Sequence, residues 1–474
     1  MLRAGFVPTL RVLVCAGAAW SLSSCGALGL NEPVAPPVAA VPDTWARTPD
    51  PVTLDVARYW TLLGDPLLTD FVEQAIAANL DLEAAAARIR LAQAGVRQSR
   101  AAYLPSVSGN AGVQRDIGDF ADDDLQFSVG ADARWEIDLF GRIRYDVAAS
   151  RAERDAAQFA SADLQRLIVG QVARATISAR ALAKQLAIAR ATLDVQEENL
   201  LIAQWRLQAG LVSRLDVEQA RAQRAQTAAS IPALQRDLEA AANTISTLIG
   251  EAPGPVYDRL VAAPADIPAP PASVGYEEPA ELLRRRPDIR RAEAALIADS
   301  ARINVARTQL LPMLQLTGSV GTASVGFDGL FDIVTGGLFA GISQLIFDGG
   351  RTRAQIDAAR AIADASFADY RRTILFALED VETAAVSLVA ARERIAFFIV
   401  ASEAAENAAI LARSQYQAGL IDFQRLLTAE NQVLGARNAL AAAEAERADA
   451  FVRLTQALGG GWDYAATQPQ GAAQ

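Results

Sequence analysis

Residues 125–138 read Leu125-Gln126-Phe127-Ser128-Val129-Gly130-Ala131-Asp132-Ala133-Arg134-Trp135-Glu136-Ile137-Asp138. Leu125, Phe127, Val129, Ala131, Ala133, Trp135 and Ile137 fall on one side of an extended chain, and the polar residues between them fall on the other. Side chains alternate across a strand with period two, so this stretch predicts a long strand with one apolar and one polar face. Residues 105–114 give a weaker partner, with Val107, Ala111 and Val113 set against Ser106, Ser108, Asn110 and Gln114. Further along, Leu314, Leu316 and Val320 alternate with Gln315, Thr317 and Ser319, and residues 336–348 predict the least regular strand. Each half of the chain thus supplies one hairpin, and the whole supplies four strands.

Four long two-faced strands cannot close a membrane barrel, which needs about eight or more. An open sheet edge in lipid leaves backbone groups unpaired. The strands therefore predict assembly, with eight strands in a dimer or twelve in a trimer. The competing arrangement, a soluble sandwich, would have to cover the apolar faces with the helical sequence that remains.

The chain also repeats itself. Asp81-Leu82 recurs as Asp288-Ile289, Arg100 as Arg307 and Leu104-Pro105 as Leu311-Pro312, each 207 residues later. Gly141-Arg142 recurs as Gly350-Arg351, Gln208-Ala209-Gly210-Leu211 as Gln417-Ala418-Gly419-Leu420, and Gly250 as Gly459, each 209 residues later. One shift with a single small insertion marks two copies of one design. The organisation expected is a signal peptide over 1–24, a lipidated Pro-rich tether over 25–60, and a first repeat over 61–252. That repeat would hold a helix, a hairpin over 104–140 and a helical hairpin over 142–250. A Pro-rich linker over 253–280 leads to a second repeat over 281–462, with a hairpin over 311–349 and a helical hairpin over 351–459; a tail over 463–474 follows.

Residues 142–208 contain no proline and predict one helix of about 100 Å, and 351–417 repeat it. Leu186, Leu193, Leu200 and Leu207 recur every seven residues as a coiled-coil-like seam. Residues 79–103 and 213–249 predict two shorter helices, the second disturbed at Pro232, that together match the long helix and could stack end to end beside it. The fold class expected is a mixed α+β membrane protein.

At the N-terminus, Arg3 and Arg11 precede the apolar stretch Val12–Leu22, too short to span a bilayer but suited to a secretory signal. Leu22-Ser23-Ser24-Cys25 has the pattern of a lipobox, so Cys25 is the expected lipidation site and outer-membrane lipid its partner. Cleavage before Cys25 removes Cys15 and two arginines, leaving one acylated cysteine, no possible disulfide, and a formal charge that moves from −11 to −13. Acidic charge and an exported address argue against nucleic acid. The chain has no histidine, the commonest general base and metal ligand. It also has no phosphate-binding Gly-rich loop and no Cys/His cluster, so an enzyme is not expected.

Several stretches then carry a family likeness. They are Trp60-Thr61-Leu62-Leu63-Gly64-Asp65-Pro66-Leu67, Asn79-Leu80-Asp81-Leu82 with Ala87-Arg88-Ile89, Trp135-Glu136-Ile137-Asp138-Leu139-Phe140-Gly141-Arg142, Arg285-Arg286-Pro287-Asp288-Ile289 and Phe347-Asp348-Gly349-Gly350-Arg351. With the lipobox, this order resembles the TolC-type outer-membrane factors, and specifically their lipid-anchored NodT-like efflux lipoproteins. The resemblance implies a homotrimer with a twelve-stranded outer-membrane β-barrel, a periplasmic helical tunnel and an equatorial belt. It implies an exit duct for small molecules, docked on a periplasmic adaptor and an inner-membrane pump of the RND type, with no cofactor. A type I secretion duct, a structural coiled-coil lipoprotein and an envelope hydrolase are the alternatives.

Gly210 and Gly419 between long helices predict left-handed helix caps. The resemblance implies that these turns, with Leu211 and Leu420, are tips that meet the adaptor. It also implies a latch between Tyr416 and Asp216, near the closed end of the duct. Where the family often has an aspartate six or nine residues past the second glycine, this chain has Arg425 and Thr428. Either the narrowest point is less acidic here, or Asp422 supplies the charge; Arg425 is placed to pair with Asp216.

Overall fold

The computed structural model describes residues 55–115, 124–272 and 284–463, with Pro42, Thr44, Trp45, Ile117, Val274, Gly275 and Pro279. The signal peptide, Cys25 and most of the tether and tail lie outside the described residues. A short 3-10 turn, Tyr59–Leu63, precedes helices α1 (Pro66–Ala78) and α2 (Leu80–Ala101). Strands β1 (Ser106–Arg115) and β2 (Leu125–Ile137) follow, then α3 (Arg142–Gln208), α4 (Arg214–Leu248) and α5 (Pro255–Ala262). The second half runs through α6 (Pro287–Thr308), β3 (Met313–Val325), β4 (Val334–Ser343), α7 (Arg351–Gln417) and α8 (Phe423–Ala457). Helix, hairpin, a 67-residue helix and a 35-residue helix occur in that order twice.

Two expectations need correction. The last strand lies at Val334–Ser343 instead of 336–348, because Gly336, Gly337 and Gly341 blur the alternation that marks a strand. Helix α4 runs through Pro232 without interruption. A proline removes one N–H, the donor to the Ala228 carbonyl, and the rest of the 35-residue ladder holds the helix together.

The chain divides into two compact units. One comprises Arg97–Ser150 and Leu296–Ala365. Its core is a four-stranded antiparallel sheet in the order β1-β2-β3-β4, so among the described residues β1 and β4 each have one neighbour and one free edge. Partners directly across a ladder share a face. The register puts Val107, Ala133, Gly318 and Leu338 in one row of the apolar face, and Asp132 beside Ser108 and Ser319 on the polar face. The apolar face is bare: Leu338 is 94% exposed and Ile342 71%. Among the described residues no helix is long and apolar enough to cross a membrane.

The second unit comprises Ala39–Val96, Arg151–Ala295 and Ser366–Gln474. Tyr59, Trp60, Leu68 and Phe71 pack there with Val169, Val172 and Ile177 of α3 and Phe451 and Val452 of α8. Asp65 caps α1 by accepting from Leu67 N and also binds Arg180 Nε at 2.9 Å, and both side chains are buried. The ends of α4 and α2 meet: Asn79 accepts from Asp81 N and donates to the Leu248 carbonyl. Gly250, at φ 75°, lies so close that a Cβ there would stand 2.6 Å from the Ala78 carbonyl oxygen. The leucine seam of α3 is broader than its heptads suggest. Leu186 is buried, but toward the end of the helix the most buried positions are Gln196, Asn199 and Ala203.

Candidate functional site at the helix tips

Helix α3 ends in a Schellman turn. Gly210 takes φ 72°, Leu211 N donates to the Arg206 carbonyl at 2.8 Å and Gly210 N to that of Leu207 at 3.0 Å. Helix α7 ends the same way. Gly419 is at φ 73°, Leu420 N donates to the Gln415 carbonyl and Gly419 N to that of Tyr416. The leucine after each glycine is left outside, Leu211 at 71% exposure and Leu420 at 75%.

The returning helices start with side-chain caps. Ser213 Oγ accepts from Asp216 N while Asp216 Oδ2 accepts from Ser213 N at 2.9 Å, a reciprocal capping box. In the second copy, Asp422 accepts from Arg425 N at 2.9 Å. The position that carries Asp216 in one copy carries Arg425 in the other. Thr428 Oγ1 donates back to the Gln424 carbonyl within its own helix.

Tyr416 is buried against Phe423 with ring centroids 5.4 Å apart, in a cluster with Ala203, Val217, Ala220 and Leu426. The Arg206 guanidinium stacks 4.5 Å above its ring and donates to the carbonyls of Tyr416 and Gln417, both at 3.0 Å. The Tyr416 hydroxyl is buried with no hydrogen-bond partner among the described residues. Tyr416 and Val217 thus come together, whereas the Asp216 carboxylate faces its own capping box. No ion pair joins Asp216 to Arg425 among the described residues.

One level from the tips lies a polar cluster that the sequence reading did not single out. Asn199 Nδ2 donates to both carboxylate oxygens of Glu430 at 2.6 Å, and Arg413 Nη2 approaches Glu430 Oε1 at 3.3 Å. Burial pushes the Glu430 carboxyl above the usual range, and the bonds from Asn199 and Arg413 only partly oppose it. A cleft of about 240 Å³ beside it is lined by Val195, Ile410, Arg413, Glu430 and the Glu406–Arg437 ion pair. Both amide atoms of buried Gln196 lack partners among the described residues. The spacing held one signal, since Asn199 lies eleven residues before Gly210 and Glu430 eleven after Gly419. No group of acidic or thiol side chains able to hold a metal occurs among the described residues.

The family described as outer membrane efflux protein matches residues 71–251 and 279–460 of this chain, nearly the whole of both halves. Nodulation protein T of Rhizobium leguminosarum bv. trifolii is 31% identical over 422 residues, covering 86% of this chain and 88% of that protein. The pyoverdine export outer membrane protein OpmQ of Pseudomonas aeruginosa is 32% identical over 421 residues, with 86% and 88% covered. Among solved structures, the outer-membrane channel OprN superposes with a TM-score of 0.80 at 33% identity, covering 90% of this chain and 99% of OprN. A paired-hairpin sheet, two 67-residue helices and Gly-capped tips, in a sequence matched over almost its full length, place the chain in the outer membrane efflux protein family.

Proposed function

We propose that three copies of this outer-membrane efflux channel close a twelve-stranded β-barrel, each copy lending its four strands, and continue below it as a helical tunnel in the periplasm. The observation that carries this reading is the four-stranded sheet with free edges at β1 and β4 and an apolar face left bare. Lipid accepts that face only if every edge is paired, and pairing β4 of one copy with β1 of the next pairs all of them. The twofold occurrence of helix, hairpin and helical hairpin fits two structural repeats per copy. Acyl chains on Cys25 anchor the assembly to outer-membrane lipid.

The duct is passive. Small molecules reach it through a periplasmic adaptor and an inner-membrane pump of the RND type. The adaptor docks on the tips, where Gly210 and Gly419 turn the chain and Leu211 and Leu420 offer apolar knobs. Asp216, Tyr416, Asp422, Arg425 and Thr428 form the gate. The support for this is their placement in the last turn before, and the first turns after, the two glycine turns. Crosslinking of the purified mature protein in mild detergent tests the assembly: a ladder that ends at trimer supports it, and one that ends at dimer refutes it.

A further inference from the structure

Strand β4 carries one side chain that its neighbours do not explain. Thr317 pairs with Phe339, Arg134 with Thr317, and Ser106 with Arg134, so all four side chains share one row on the polar face of the sheet. Phe339 is therefore a large aromatic residue among serines, threonines and glutamines, and it is 67% exposed. Its ring lies along the strand over Gly341, where a Cβ would stand 2.6 Å from Phe339 Cε1. A Cβ at Gly337, on its other side, would meet nothing within 4 Å. The ring thus leans toward Gly341, and the space over Gly337 is open.

Arg134 is the one cation on the polar face of the described strands. It is exposed and has no ion pair among the described residues. Glu136, the next residue on that face, is already held by Arg142 at 2.7 and 2.6 Å. Arg134 and Phe339 are two strands apart, about 10 Å, with the Thr317 hydroxyl between them.

We propose that Phe339, Thr317 and Arg134 form a binding station for planar aromatic molecules that carry an anionic group such as a carboxylate. The inference rests on the channel reading, which makes this face the wall of the pore. An aromatic ring stacks offset on the exposed ring of Phe339. Its carboxylate accepts the two-pronged guanidinium of Arg134, and Thr317 can donate a further hydrogen bond. An aromatic ring alone would also suit an organic cation, but Arg134 repels one. Phe339 and Arg134 are exposed and Thr317 is half-buried, so the station is weak, as a conducting path requires if its cargo is to leave.

The test uses the full mature protein in detergent and 2-naphthoate as the probe. Saturation-transfer NMR should detect naphthoate binding. Phe339→Leu, which keeps apolar bulk but loses the ring, and Arg134→Gln should each weaken it about tenfold. Cyclohexanecarboxylate and 2-naphthylmethylammonium should bind far less than naphthoate. Binding that is unchanged in both variants, or equal for the three probes, overturns the proposal. Ion currents recorded on the same preparations separate the two readings. Current without a variant effect on naphthoate defeats the station and leaves the channel. Variant-sensitive binding without current defeats the channel and leaves a site on the sheet.

Discussion

Asn79 and Arg286, 207 residues apart, make the same bond in the two halves of the chain. Asn79 Nδ2 donates to the Leu248 carbonyl at 2.8 Å, and Arg286 Nη1 donates to the Ala457 carbonyl at 3.0 Å. Each ties the start of one helix to the end of another. Leu248 and Ala457 are themselves 209 residues apart, so the offset found in the sequence recurs in the bonding.

The two junctions differ in strength. Arg286 is buried and pairs with Asp288 at 2.6 Å and Asp380 at 3.1 Å. Asn79→Ala should cost about 1 kcal/mol, the usual loss for a helix cap. Arg286→Met should cost about 3–5 kcal/mol, because it strands the Asp288 carboxylate without its partner. Burial alone would raise the Asp288 pKa, but Arg286 overcomes it and holds the carboxyl below the usual range. That stability is therefore present above the ordinary carboxylate range and lost as pH falls through the lowered value. Denaturant melts of the wild type and both variants, repeated across acidic pH, check the order and the sign.

Glu430 should respond to pH in the opposite sense. Its carboxyl is raised by burial, so the folded state binds the proton more tightly than the unfolded state does. The stability this contributes is full below the ordinary glutamate value and is lost as pH rises through the raised one. Glu430→Gln should flatten that dependence. Hydrogen exchange at the start of α8, followed from acidic to neutral pH, reads it locally; equal slopes in both proteins would contradict the assignment.

The long alternation of Leu125–Ile137 made the sheet legible, and glycines at equal offsets made both tips legible. These signals are local, because each depends only on the period or the dihedral that a single stretch requires. The ends of β4 were not legible, because three glycines and Phe339 break the period that defines a strand. The Asn199–Glu430 bond was hidden for another reason. Its residues are polar at positions buried only because α3 and α8 pack together there, and leucines nearby suggested a different buried stripe. Tyr59 and Trp60 fall at the end of the tether expected over 25–60, yet both lie in the core, Tyr59 against Phe451.

Replacing Leu211 and Leu420 together with Asp should abolish export and leave the assembly intact. Both side chains are exposed beyond the capping bonds, so the fold does not depend on them. Burying new carboxylates against an apolar partner costs several kcal/mol. Export assays with adaptor crosslinking in whole cells check this. Normal crosslinking in the double variant would place the docking surface elsewhere.

Tyr416→Phe combined with Asp216→Ala should raise single-channel conductance. The Tyr416 hydroxyl has no partner among the described residues, so the effect is carried by the second change, which opens the capping box beside the tip. Ser213 keeps its cap on the backbone N–H of residue 216, so the change frees only the Ser213 N–H and loosens the first turn of α4 by less than the roughly 0.5–2 kcal/mol of losing an N-cap. Conductance equal to wild type would remove both residues from the gate while leaving the duct in place.

The central claim is that three copies of this chain make a conducting pore. The most direct measurement is the current through planar bilayers carrying purified mature protein at known salt gradients. Discrete, uniform conductance steps are expected. The mature formal charge of −13 per copy should make the pore prefer cations, since a narrow duct focuses the field of its walls. Protein that is folded and inserted but passes no current would contradict the claim.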